Sequence, residues 1–377
     1  MQQYKGSGVY MNETNKNRLL MTMGVVEIEN DIRSLGADPL EYNRKPEYGL
    51  FLKEIFENLQ YIHQTQHPVF LVASSGTGVM EGALTNVLSQ NDTALFVNGG
   101  TFGERWGKIC DCHNIKTIEL KKDYGVPPTA QEIKDALEKN PEIKAVLITH
   151  NETSIGTLTD IKAIADVVKQ YPKTILVVDC ISSLLVEEIK TDEWGLDVVV
   201  SSCNKALAVP PGIGFFTISK KAMEFVEKAK NRLFNFDAIE YNKEWLRNST
   251  PYTPPISLLK QLHARLNKIK KEGLDNVRAR YKHNTQYLRD GIEKLGLTFY
   301  TKLQANCVSY VVTPDGIDAM DVINIMSNKH KIDITPSWPD LRSKVFRVGN
   351  FGNINKPEID RFLNALDNTL KELGSKE

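Results

Sequence analysis

The chain has 377 residues, with 47 Lys plus Arg against 47 Asp plus Glu and a formal net charge of zero. That length holds one large and one small domain or two medium ones, with a sizeable core, and the balanced charge gives no sign of the concentrated basic face that nucleic-acid or membrane-surface binding needs. No apolar run approaches the roughly 20 residues of a membrane span, and the opening M-Q-Q-Y-K-G-S-G has no signal-peptide core, so a cytoplasmic protein without membrane partners is expected.

Residues 1–18 are polar and read as a mobile start. An extended access segment, 19–46, follows and contains L-L-M-T-M-G, ending at Gly24. Phe51, Ile55, Leu59 and Ile62 then recur at spacings of four, four and three, the pattern of an amphipathic helix. Next come the apolar run P-V-F-L-V-A, the turn S-S-G-T-G and a helical pattern. The turn leaves backbone N–H groups free at a helix N-terminus, a setting that suits phosphate. It is equally the composition of a plain strand-to-helix link.

The alternation continues with strand 93–98, loop N-G-G-T-F-G, a helix from residue 104, strand 115–120, helix 130–138 and strand 144–149. The loop H-N-E-T-S-I-G precedes helix 160–170, and two further apolar runs end at Asp179 and Ser201. Such alternation with short links predicts an α/β fold, a mostly parallel sheet sandwiched by helices. A strand 213–219 and a helix 221–232 lead into an irregular, aromatic-rich stretch through T-P-Y-T-P-P. The large domain thus spans 19–255. From 256 to 377 the pattern is a long connecting helix broken at Gly273, then a small α+β domain with strands 298–302, 307–313 and 345–348 and helices 317–328 and 356–373. The five cysteines, Cys110, Cys112, Cys180, Cys203 and Cys307, are odd in number and lack metal-ligand spacing, so they read as reduced thiols and no metal is expected.

Asp179 closes one buried run, and Cys203-Asn204-Lys205 follows the next. In open α/β sheets ligands bind at the carboxyl ends of the strands. A carboxylate and an amine on successive strand ends suit pyridoxal 5′-phosphate, which needs an imine-forming lysine and an acid at its pyridinium nitrogen. The alternative, a strand-end aspartate and a surface lysine with no joint role, is open on these residues alone.

Taken together, S-S-G-T-G, N-G-G-T-F-G-E-R, H-N-E-T-S-I-G, the Asp179 to Lys205 stretch and V-F-R-V-G-N-F-G resemble, in order, the motifs of the class V aminotransferases of fold type I. The likeness runs from about residue 19 to the C-terminus and is greatest to the alanine:glyoxylate and serine:pyruvate aminotransferases, then to the 2-aminoethylphosphonate transaminases. It implies Ser75, Gly76 and Thr77 as phosphate or cofactor contacts, Phe102 stacking on the pyridine ring and Thr153 at its phenolic oxygen. It gives Asp179 and Lys205 the pyridinium and imine roles, with Asn204 beside the phosphate. Arg347 falls at the substrate-carboxylate arginine, and a guanidinium can grip a carboxylate with two parallel hydrogen bonds.

T-P-Y-T-P-P resembles the segment that reaches into a neighbouring subunit, implying a homodimer in which Tyr252 and Thr253 complete the phosphate site. The access loop T-M-G-V-V-E keeps Gly24 for the substrate pocket but lacks the family's flanking prolines. The implied reaction is transfer of an amino group from a small amino acid to a 2-oxo acid, with Lys205 as general acid and base and ping-pong kinetics. A cysteine desulfurase would need a cysteine in the loop before Arg347, and I-T-P-S-W-P-D-L-R-S-K has none. A non-catalytic protein of the same fold would have no reason to retain Lys205, Asp179 and Arg347 together.

Overall fold

In the computed structural model, described for residues 17–301 and 304–374, the first long helix is α1 (Pro46–His63), with proline in its first turn. It is followed by β1 (Val69–Ser74), α2 (Gly76–Val87), β2 (Thr93–Asn98), α3 (Thr101–Cys112) and β3 (Lys116–Lys121). Then come α4 (Ala130–Lys139), β4 (Ile143–Thr149), α5 (Ile161–Val168), β5 (Ile175–Asp179), β6 (Val198–Ser202) and β7 (Gly212–Ile218). Their strands form one sheet in the order β1-β7-β6-β5-β4-β2-β3, with only β7 antiparallel to its neighbours.

The strands read as unbroken apolar runs because helices cover both faces. In β5, Leu176 and Val178 enter one core cluster while Ile175 and Val177 enter the other, the two-residue period of a strand. The carboxyl ends of β1, β2, β4, β5 and β6 lie along one edge, where β7 begins at Gly212 opposite Ser74. The segments carrying Ser75, Phe102, Thr153, Asp179 and Lys205 leave from that edge.

Two long helices, α6 (Ile256–Glu272) and α7 (Leu274–Lys294), meet at Gly273, whose φ of +85° breaks the run. Beyond them β8 (Thr298–Phe299), β9 (Val308–Val312), β10 (Thr335–Pro336) and β11 (Val345–Gly349) form an antiparallel sheet in the order β8-β9-β11-β10. Helices α8 (Ala319–Asn328) and α9 (Lys356–Gly374) pack on it around Phe346, Val348 and Phe362.

Some boundaries differ from expectation. The stretch expected to be irregular before T-P-Y-T-P-P contains a helix, Ala238–Trp245, capped by the Asp237 side chain. Helix 221–232 ends at Lys228, and Arg232 instead folds back on the carbonyls of Val226 and Ala229. Strand 298–302 shortens to Thr298–Phe299, with residue 302 outside the described part. The mobile start expected for 1–18 lies outside the described residues up to 16. Arg18 is not free: it pairs with Asp333 at 2.5 Å, and Leu19–Leu20 adds a short parallel pairing to Ile332–Asp333.

Candidate active site

Asp179 is the last residue of β5 and is buried, as are its neighbours in register, Thr149 and Val200. Burial pushes its pKa up to about 7, opposed by the hydrogen bond that Ile181 N–H donates to it at 2.9 Å. That is the carboxylate's one hydrogen bond among the described residues. Three residues past β6, Lys205 is also buried, and loss of hydration lowers its pKa to about 8. The loop carrying it is closed by Ala208 N–H to Lys205 O at 2.9 Å and Val209 N–H to Cys203 O at 3.1 Å, which holds Ala208 in the left-handed region at φ +50°. Backbone strain of this kind concentrates at functional loops.

A cavity of about 140 Å³ joins these two groups to Ser75, Gly76, Thr77, Phe102, Thr153 and Asn204. The sequence reading placed each of those residues at a site, and the fold brings them together. A larger cleft of about 960 Å³ lies beside Phe234 and Tyr252, and its lining includes neither Asp179 nor Lys205. Ser75 caps α2 by accepting from Gly78 N–H at 3.1 Å. The glycines of this turn permit close approach: a Cβ on Gly76 would come within 2.8 Å of Ile181 Cδ1, and one on Gly78 within 2.3 Å of Ser74 Oγ.

The access loop and the second sheet complete the surroundings. Asn204 Nδ2 donates to Gly24 O at 3.3 Å, although nothing lies within 4 Å of where a Gly24 Cβ would be. Arg347, on β11, donates from Nε to Pro336 O at 2.9 Å and from Nη1 to Thr153 O at 3.0 Å. Among the described residues it pairs with no carboxylate. Tyr310 O–H, on β9, also donates to Thr153 O. Tyr252 and Thr253 are not brought to Lys205 within the chain; they line a separate small cavity with Leu71, Ala73 and Asn235.

Several residues of the site were not legible beforehand. Glu152 is buried and accepts from the N–H groups of Phe102 at 3.1 Å, Gly103 at 2.8 Å and Ser154 at 3.2 Å, so a carboxylate caps the first turn of α3 and sets the Phe102 loop. Arg105, Asn151, Ser182 and Ser202 also line the cavity. Arg105, Asn151 and Glu152 stand inside the motifs N-G-G-T-F-G-E-R and H-N-E-T-S-I-G, with no role assigned to them by the sequence, Arg105 three residues after Phe102 on one helix face. Asn151 Oδ1 is buried without a hydrogen-bond partner among the described residues.

The donor set fits pyridoxal phosphate. A buried carboxylate with one hydrogen bond offers a place for a protonated ring nitrogen, a buried amine lies close enough to shift with it, and free helix-start N–H groups suit a phosphate. Fold and site together define a fold-type-I, cofactor-dependent transferase. The family model for aminotransferase class V matches residues 54–336. The chain is 32% identical over 362 residues to a protein of Synechococcus sp. named soluble hydrogenase, small subunit, covering 94% of each, and 31% identical over 373 residues to the serine–glyoxylate aminotransferase of Arabidopsis thaliana, covering 97% and 93%. The crystal structure of alanine–glyoxylate aminotransferase from Nostoc sp. superposes with a TM-score of 0.90 at 28% identity, over 94% of this chain and 95% of that one. The chain belongs to the class V aminotransferases and is a pyridoxal-phosphate-dependent transaminase. Among the described residues no helix is long and apolar enough to cross a membrane.

Proposed function

We propose that this transaminase moves the amino group of a small amino acid, alanine or serine in type, to a 2-oxo acid such as glyoxylate or pyruvate. The observation that carries the reading is Arg347, a guanidinium anchored by two backbone carbonyls with no carboxylate partner among the described residues, hydrogen-bonded to the same Thr153 that lines the Lys205 cavity. A cation so placed is set to receive a substrate carboxylate. The names of the Arabidopsis relative and the Nostoc structure support glyoxylate as an acceptor.

Bound pyridoxal phosphate supplies an aldehyde that exchanges amines and a protonated ring that withdraws electrons from the substrate α-carbon. Asp179 would accept the ring N–H and keep that proton in place, and Lys205 Nζ would hold the aldehyde carbon and, when free, move a proton at the substrate α-carbon as general base and acid. Its lowered pKa leaves an appreciable neutral fraction near pH 7.5, as both tasks need. Phe102 would cover one face of the ring, Thr153 would meet its phenolic oxygen, and Ser75, Gly76, Thr77 and Asn204 would surround the phosphate. Gly24 borders the substrate.

A donor-by-acceptor panel with purified enzyme tests the reading, with alanine or serine plus glyoxylate or pyruvate expected to give the highest kcat/KM. A tenfold preference for 2-aminoethylphosphonate with pyruvate, about 1.4 kcal/mol in transition-state binding, would replace it with the phosphonate reading. Reducing the loaded enzyme with borohydride should label Lys205, and Lys205→Ala should abolish turnover.

The same reading includes a homodimer with shared sites. Tyr252 and Thr253 lie outside the Lys205 cavity, and beside them Leu50 and Phe234 stand 65% and 82% exposed around the 960 Å³ cleft. A second copy covering that face would bury both and carry its own Tyr252 and Thr253 towards this chain's phosphate subsite. Mixing Lys205→Ala and Thr253→Arg subunits, each inactive alone, should restore one intact site per hybrid. Failure of every hybrid to regain activity would rule out sharing.

A further inference from the structure

One charged side chain in the Lys205 cavity has no role in the account above. Arg105 lies on the first turns of α3, and its Nη1 donates to Thr77 Oγ1 at 2.7 Å, bridging from α3 to the N-terminus of α2. Its guanidinium carbon lies 4.7 Å from the centroid of the Phe102 ring. It influences both Asp179 and Lys205 electrostatically, and among the described residues it pairs with no carboxylate. An uncompensated guanidinium inside a catalytic cavity calls for an anion.

The polarity of the Thr77 contact indicates where that anion sits. Arginine can only donate, so Thr77 Oγ1 accepts from it and keeps its own O–H hydrogen for a further acceptor. Beside that hydroxyl, the N–H groups of Gly76 and Thr77 open α2 and have no partner within the helix. A dianion at this point would meet helix-start N–H groups, a hydroxyl obliged to donate, and a positive charge immediately behind it.

We propose that Arg105 belongs to the cofactor's phosphate subsite as a positioning residue, acting through the Thr77 hydroxyl and by its own charge. The inference rests on the pyridoxal-phosphate reading of Lys205 and Asp179. The competing role is support of the Phe102 ring by cation–π contact, which would affect ring binding with or without a phosphate.

Apoenzyme titrated with pyridoxamine phosphate and with pyridoxamine, followed by tryptophan fluorescence, separates the two roles, since neither ligand can bond to Lys205. Arg105→Ala should weaken pyridoxamine phosphate roughly tenfold or more, the scale of a charge-assisted hydrogen bond, and pyridoxamine by less than about threefold. Arg105→Lys should recover part of the loss by keeping the charge. Arg105→Ala combined with Thr77→Val should cost less than the product of the two single losses, because they remove one linked interaction. Equal weakening of both ligands, or of neither, would overturn the proposal. Wild-type apoenzyme that failed to bind pyridoxamine phosphate would instead sink the cofactor reading itself. Should Arg105→Ala not fold, the comparison of Arg105→Lys with wild type carries the same phosphate-against-ring contrast.

Discussion

Asp179 and Lys205 are both held where their charged forms are disfavoured, and the costs fall in opposite directions on the pH scale. A carboxyl raised to about 7 in the folded state and near 3.8 in the unfolded chain lowers stability progressively as pH rises from about 4 to 7. Under the proposed function, a ring N–H donated to Asp179 would remove that penalty. The rise in melting temperature when apoenzyme is loaded with pyridoxal phosphate near pH 7.5 should therefore be smaller in Asp179→Asn than in wild type, and kcat of the loaded variant should fall by orders of magnitude. Near-normal kcat in that variant would remove Asp179 from the chemistry. At the far side of the site, under the proposed function Arg347→Ala would delete the partner of a substrate carboxylate, an interaction on the order of 2–5 kcal/mol when desolvated. It should raise KM for amino donor and oxo acceptor alike; a change confined to one of them would mean that Arg347 does not bind the group common to both.

At the scale of elements, the loop H-N-E-T-S-I-G is the joint between the two sheets. Its Glu152 caps α3 from one side, while Thr153 O receives Arg347 and Tyr310 from the other. Gly156 closes the loop at φ +89°, and its N–H donates to Glu152 O at 2.7 Å. A Cβ there would stand 2.2 Å from Tyr310 Cε2. Gly156→Ala is thus opposed both by the left-handed backbone, about 1–2 kcal/mol, and by a clash with a buried ring that is itself hydrogen-bonded. The expected result is a lower melting temperature together with a raised substrate KM, because Thr153 and Arg347 shift together. A variant that lost stability but kept KM would show that the loop does not set the arginine.

Across the whole molecule, two buried histidines tie the main sheet to near-neutral conditions. His63 is held neutral, with Nδ1 donating to Leu59 O at 2.8 Å and Nε2 accepting from Ser201 Oγ at 2.8 Å, and burial depresses its pKa to about 4. His150, whose backbone N–H donates to Asp179 O, is likewise lowered to about 4 by burial. Between pH 6.5 and 4 the unfolded chain takes up protons that the folded chain refuses, so stability falls as pH drops through that window, by about 1.4 kcal/mol per pH unit for each group. Urea or thermal unfolding at pH 7, 5.5 and 4.5 should show the decline. His63→Gln should flatten it while lowering stability at pH 7; an unchanged slope would place the acid sensitivity elsewhere.

Sequence alone determined which polar residues close the buried strands. Asp179, Lys205 and the S-S-G-T-G turn each stand at the end of a buried apolar run, and such runs, their turns and their helix caps are local properties of a few neighbouring residues. The irregular stretch before T-P-Y-T-P-P hid a helix, Ala238–Trp245, because a short aromatic segment carries little periodicity. What only the tertiary structure decided is which side chains meet across long separations: Arg105 with Thr77, Glu152 with the Phe102 loop, Arg347 and Tyr310 with Thr153. It also decided that Tyr252 and Thr253 stay apart from Lys205 within one chain. Those contacts follow from strand order and register, in which β1 lies beside β7 and β4 lies between β2 and β5. Hydrophobic periodicity reports which face a residue presents, and the order of strands is set by packing the whole sheet between its helices.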